Sequence, residues 1–341
     1  MSGRRRLLVL LALLAASIVW AGMTAYDRAM SPWKGYEGDS AVIVIPQGAG
    51  SSQVAHLLRD ARVIQQTLPF QILARVNGVA SRLQAGEYLF DRPLAPSEVL
   101  DRIVRGDVLL HRVTIPEGLT GSETIDRIAR ARIVRRSDLE ESFRDASIVR
   151  DRDPNARDLE GYLFPDTYRF ARGTQAHRIL GDMVARFREV YDGTIAGRAA
   201  SMGMTAREVV TLASLIEKET SIPEERPRVS AVFHNRLKIG MPLQCDPTVI
   251  YAFAAAGRGA GELKREDLSF ASPYNTYLNP GLPPGPIASP GRDSLLAAVS
   301  PAPVKDLYFV ADGTGGHRFS SSIEDHERAV SRYRRIRKAG S

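Results

Sequence analysis

Two segments, IPQGAGSSQVAHLLRDARVI from Ile45 and IPEGLTGSETIDRIARARIV from Ile115, align without gaps at a separation of 70 residues. Each predicts a strand running into a Pro-x-Gly turn and then a helix opened by a serine or threonine N-cap. Only two copies occur, so the repeat is a duplicated supersecondary unit and not a solenoid. Between them, LQAGEYLF predicts a short strand, and APSEVLDRIVRG predicts a helix with Ser97 as its cap, apolar Val99, Ile103 and Val104, and Gly106 as its stop. A compact β/α module over 41–112 follows. The second copy opens a larger region, 113–337, which mixes helices such as HRILGDMVARFREVYDG with strand candidates DLYFVAD and RFS around the turn GTGGH. That region lacks a regular βαβ alternation, so the fold class is α+β.

The N-terminus adds a second constraint. Arg4, Arg5 and Arg6 precede an uncharged stretch from Leu7 to Ala25, which at about 1.5 Å per helical residue just covers a thin hydrocarbon core. Positive charge ahead of the stretch predicts a cytoplasmic tail over 1–6, a single transmembrane helix over 7–25, a linker over 26–40 and the rest of the chain outside the cytoplasm. A cleaved signal peptide fits less well, because Met23 spoils the small-x-small pattern before Ala25. Trp20 and Tyr26 suit an interfacial belt.

Composition narrows the partners. The 341 residues are 44% apolar, enough for two or three cores, and the 46 basic residues behind the net charge of +7 are spread along the chain. Nucleic-acid binding wants them on one face, so no nucleic-acid partner is expected, whereas an anionic polymer or membrane surface remains. Cys245 is the single cysteine, and neither a Cys-x-x-Cys nor a His-Glu-x-x-His pattern occurs, so no metal and no cofactor are expected.

LASLIEKETS, from Leu212, carries the chemistry in question. Its helix opens at Thr205 with Glu208 three residues later, a capping box. Projection at about 100° per residue puts Val209, Leu212, Ala213 and Ile216 on one apolar stripe, with Lys218 turned away and Glu217 and Glu219 flanking it. Periodicity leaves both acids open. A carboxyl at the edge of an apolar surface is partly desolvated, which favours its protonated form and suits a general acid. Glycoside cleavage needs little beyond carboxyl groups and a shaped groove, and the aromatic-rich stretch LEGYLFPDTYRF, with Glu160 and Asp166, offers material for one.

ASLIEKET, VFHNRL, MPLQCDPTVIY, SPYNTYLNPGLPPGPIASPG and LYFVADGTGGHRF, in this order behind EGYLFPDTY, closely resemble the MltG/YceG family of endolytic peptidoglycan transglycosylases. The resemblance covers nearly the whole chain, the module over 41–112 being similar to the family's LysM-like subdomain. It implies a lyase of cell wall biogenesis in which Glu219 is the catalytic acid, with Glu217 supporting. Gln244, Asp246, Thr248, Tyr274, Asn275, Thr276 and Tyr277 match family motifs and are expected to meet sugar groups. Glu160, Asp166 and Asn235 are further substrate-binding candidates. The prolines of GLPPGPI stiffen a loop. The implied partners are peptidoglycan glycan strands and peptidoglycan synthases, the penicillin-binding proteins. Two alternatives remain at this stage: a hydrolase of the same bond (a muramidase), with Asp246 or Glu160 activating water, and a non-catalytic scaffold that binds peptidoglycan and recruits synthases.

Overall fold

The computed structural model describes residues 3–259 and 263–339, so residues 1 and 2 of the expected tail lie outside the described residues. The chain divides into two compact units, 1–111 with 171–173, and 112–170 with 174–341.

In the first unit, helix α1 (Gly3–Met30) runs past Ala25 to Met30, well into the stretch expected to be linker, and Leu7–Met30 is long and apolar enough to cross a membrane. Trp33 then exchanges backbone hydrogen bonds with Leu94. Strand β1 (Ala41–Ile45) turns Ile43 and Ile45 inward and is followed by helices α2 (Ser51–Asp60) and α3 (Thr67–Val76) and strand β2 (Gly86–Phe90). β1 and β2 pair antiparallel with Ile43 opposite Tyr88. Val54 and Leu58 of α2, Phe70 of α3 and Leu100 and Ile103 of the next helix, α4 (Pro96–Arg105), close the core against Tyr88 and Phe90. The cap of α4 differs from expectation. Pro96 takes the first helical position, where its missing N–H is no loss, and the N-cap is Ala95, whose N–H donates to Glu98 at 2.8 Å. Gly106 ends the helix at φ 71°.

Strand β3 (Leu110–Thr114), helices α5 (Gly121–Arg130) and α6 (Arg136–Arg144) and strand β4 (Thr167–Ala171), which pairs with β3, repeat the order strand, helix, helix, strand. The duplication extends to backbone angles: Gly48 and Gly118 turn at φ 78° and 75°, and Arg62 and Arg132, one residue beyond each helix's C-cap, both sit at φ 55°. The caps diverge. Thr120 accepts from Glu123 N while the Glu123 carboxylate accepts from Thr120 N, but in the first copy Gly50 is the N-cap and no serine side chain serves.

The second unit continues through α7 (Ala176–Val190), α8 (Ala196–Ser201), α9 (Ala206–Glu219), α10 (Arg226–Lys238), α11 (Asp246–Ala255) and α12 (Arg292–Ala298). Strands β5 (Tyr308–Ala311) and β6 (His317–Ser320) form the expected antiparallel hairpin, and α13 (Ile323–Ala339) follows. Asp312 shapes the hairpin turn by accepting from the N–H groups of Thr314 and Gly316. α9 is the central helix. Every residue from Val209 to Ile216 is buried, because α8, α10, α11 and α12 surround it, so the expected one-sided stripe is a helix buried on all sides.

Candidate active site

The capping box at the start of α9 is formed: Glu208 N donates to Thr205 Oγ1, and Thr205 N donates to Glu208 Oε2 at 2.8 Å. At the other end Thr220 leaves helical geometry at φ −142°, so Glu219 is the last helical residue. The two acids of the EKE segment part here. Glu217 Oε2 accepts from Gly291 N at 3.0 Å, and its Oε1 lies 3.5 Å from the buried Arg226 guanidinium. Lys218 points outward and donates to the carbonyl of Gly118. Glu219 keeps part of its surface open, yet so much protein surrounds its carboxyl that burial pushes its pKa up to about 7. The Asp246 charge raises it further, whereas a hydrogen bond from Cys245 and the nearby His317 and Arg236 oppose the rise.

Three segments converge on Glu219. The first is the loop entering α11. Gln244 holds a left-handed backbone at φ 52° and donates its N–H to Thr276 O at 3.1 Å, which turns its side chain outward and Cys245 inward. Burial and the Glu219 carboxyl push the Cys245 thiol well above its ordinary range, consistent with a packed thiol and not a nucleophile. The second segment is the 274–277 loop, where the Tyr277 hydroxyl donates to Asp246 Oδ1. The third is β6. His317 donates its backbone N–H to Glu225 Oε1, and its Nδ1 pairs with Glu225 Oε2 at 2.7 Å. Burial pushes the Glu225 carboxyl up, but hydrogen bonds from His317 and Thr220 more than reverse it, leaving the carboxyl below its ordinary range.

Several expected substrate contacts have other positions. Thr248, Asn275 and Thr276 lie beneath the surface as braces between loops. Thr248 Oγ1 donates to Cys245 O at 2.7 Å, Thr276 Oγ1 accepts from Cys245 N at 3.0 Å, and the Asn275 amide donates to the carbonyls of Leu268 and Phe270. Asn235 donates to Val304 O and Asp306 O, tying α10 to the segment before β5. Beside it, Arg236 donates to Leu307 O at 2.7 Å and Leu243 O at 2.8 Å, so this buried cation supports the loop under Glu219. Asp166 pairs with Arg186 at 2.9 Å on the surface. Glu160 accepts from Gly121 N with both oxygens, at 2.9 and 3.1 Å, and caps α5; burial pushes its pKa up to about 8. Tyr274 packs on Tyr251 at 4.9 Å.

The model of the YceG-like family matches residues 43–332. The chain belongs to that family. A relative from Bacillus subtilis (strain 168), named endolytic murein transglycosylase, is 33% identical over 316 residues, covering 87% of this chain and 86% of the relative. A relative of the same name from Streptococcus pneumoniae is 30% identical across 96% of this chain, which spans 64% of that longer protein. The crystal structure of a YceG-like protein from Listeria monocytogenes superposes with a TM-score of 0.59 at 30% identity, covering 85% of this chain and 98% of the other. Within this YceG-like site, His317, Glu225 and Arg226 escape sequence reasoning. His317 lies in the GTGGHRF segment but carries no periodic or spacing signal toward an acid on another helix, and Glu225 and Arg226 lie in SIPEERPR, outside the motifs singled out above.

Proposed function

We propose that this YceG-like protein is a membrane-anchored endolytic lytic transglycosylase that cuts the bond between N-acetylmuramic acid and N-acetylglucosamine within nascent glycan strands. The names carried by its relatives support the substrate and reaction. The observation that carries the assignment of the acid is the contrast inside EKE: Glu217 is clamped by Arg226 and Gly291, whereas Glu219 ends the helix with its pKa near 7. A carboxyl poised there holds a proton at neutral pH and can still release it.

Glu219 protonates the glycosidic oxygen, the bond from the muramic anomeric carbon to that oxygen breaks, and positive charge develops at the carbon. The carboxylate then takes the proton of the muramic 6-hydroxyl as its oxygen attacks the same carbon, closing a 1,6-anhydro ring and restoring the acid. No water is consumed, and the internal nucleophile is already tethered near its target. Asp246, Gln244 and Tyr277 border the acid and supply sugar contacts. In this reading α1 anchors the chain with its N-terminus in the cytoplasm. The module over 41–112 serves as a LysM-like glycan-binding unit. The enzyme ends glycan elongation beside peptidoglycan synthases.

Mass spectrometry of digested peptidoglycan tests the reaction: 1,6-anhydro ends, lighter by one water than reducing ends, are expected. The proximity of Asp246 to Glu219 favours one rival, a hydrolase in which Asp246 activates water, and reducing ends would establish it. Because Glu219 must begin protonated, kcat/KM is expected to fall as pH rises through about 7. Asp246→Asn removes a like charge, so it should move that fall to lower pH.

A further inference from the structure

At the opposite end of α9 from Glu219 lies a cavity of about 480 Å³ lined by Asp153, Arg157, Asp158, Glu160, Arg207 and Tyr274, with residues 284–286 closing one side. It gathers parts of EGYLFPDTY, SPYNTY and GLPPGPI, none of which contributes the acid. Its wall is built firmly. Asp153, 1% exposed, accepts from Arg207 Nη1 at 2.6 Å and from the Tyr162 hydroxyl at 2.7 Å, and Arg207 also holds the Pro284 carbonyl at 2.8 Å. Gly161 turns at φ 83° where a Cβ would come within 2.4 Å of Pro286, so the backbone closes tightly around the space.

Two charges remain open in this cavity. Arg157 is exposed, and Asp158 uses Oδ1 to accept from Glu160 N at 2.9 Å; among the described residues neither enters an ion pair. Both charges act on the Tyr274 phenol, so they share one space. One free cation beside one free anion suits a zwitterionic ligand. Sugar hydroxyls and acetamido groups carry neither sign, but a peptide joined to muramic acid through its amino terminus has a free terminal carboxylate and, where it holds a diamino acid, a side-chain ammonium. Its reach also fits: Arg207 and Glu219 stand 12 residues apart on α9, about 18 Å along its axis, and an extended five-residue peptide spans about 17 Å. The loop holding Tyr274 in the cavity carries Tyr277 to Asp246, so the two places share a wall.

We propose that this cavity binds the charged end of a stem peptide borne by a muramic acid at or beside the bond being cut, with Asp158 facing its ammonium and Arg157 its carboxylate. The proposal rests on the murein reading of the Glu219 site and adds a peptide subsite to it. The test uses the full-length protein in detergent and the variant Arg157→Ala/Asp158→Asn, in which asparagine still accepts from Glu160 N. On strands with stems, kcat/KM is expected to fall about tenfold or more, roughly the loss of charge-assisted hydrogen bonds. On the same strands stripped by an amidase it should stay unchanged, as should the thermal unfolding midpoint. An equal fall on both substrates would place sugar or a folding role in the cavity, and no change on either would leave it without a ligand; both overturn the proposal. Calorimetry with an N-acetylated tetrapeptide stem, whose amino end is an amide as in the muramyl linkage, reads the subsite without cleavage. Saturable heat that the double variant loses supports the peptide subsite even if Glu219 proves not to be the acid, and absence of heat in the wild type overturns it even if Glu219 is.

Discussion

The Pro-x-Gly turns of the two copies share a backbone and have opposite surroundings. A Cβ built on Gly48 would meet no heavy atom within 4 Å, whereas one on Gly118 would lie 3.5 Å from Glu217 Cγ. The Gly118 N–H donates to Ser289 O, and its carbonyl receives Lys218. Beside these glycines Gln47 becomes Glu117, a carboxylate 3.7 Å from Arg226. The repeated pattern therefore sets the local fold of each copy, and what the neighbouring chain adds decides its use. The first copy folds around its own core; the second contributes its turn to the flank of α9.

The largest expected effects test whether the copies are separate cores. Tyr162, 1% exposed, packs edge-on against Phe187 at 5.2 Å, and Tyr88 is wholly buried in the first unit. Either residue changed to alanine should cost about 3–5 kcal/mol. Limited proteolysis should open 112–339 in Tyr162→Ala, with loss of cleavage, and open only 41–111 in Tyr88→Ala. A single shared unfolding event would break the comparison.

Next in size is the contact peculiar to the second copy. Arg226→Ala strands the buried Glu217 and is expected to cost about 3 kcal/mol or more in urea unfolding. Adding Glu117→Gln, the amide that the first copy has at Gln47, should restore part of it.

Glu160 caps α5 in the second copy, and its pKa is pushed up from 4.5 to about 8 by burial. The folded state therefore holds a proton that the unfolded chain releases, so the contribution to stability is complete below about pH 4.5 and is lost as pH rises through about 8. Urea midpoints at about pH 5 and about pH 8 should show that loss in the wild type and much less of it in Glu160→Gln.

The smallest effects sharpen the backbone equivalence. Gly48→Ala and Gly118→Ala should each cost about 1 kcal/mol, the strain of a left-handed alanine less its reduced chain entropy. A far larger loss at Gly118 alone would mean that contacts, not conformation, hold the second turn.

Much of this fold was legible because it depends on short-range rules. The duplicated strand-turn-helix, the Thr205–Glu208 box, the Gly106 stop and the β5–β6 hairpin all follow from neighbouring residues. The Ser97 cap failed because Pro96 fits the first helical position better and Glu98 reaches Ala95 directly. Projection could not rank Glu217 and Glu219 because it assumed one solvated face, and α9 has none between Val209 and Ile216. What separates the acids comes from distant segments: Arg226 and Gly291 on one, Cys245 and Asp246 on the other. The same long-range packing turned Thr248, Asn275 and Thr276 from expected sugar contacts into buried braces, a distinction that motif position alone does not carry.

The central claim is that Glu219 alone supplies the acid. Parallel digestion of purified glycan strands by Glu219→Gln and Glu217→Gln tests it most directly, with circular dichroism confirming that both are folded. The account expects Glu219→Gln to bind strands and release no anhydro products, and Glu217→Gln to keep cutting. Normal cleavage by Glu219→Gln beside a dead Glu217→Gln would contradict it.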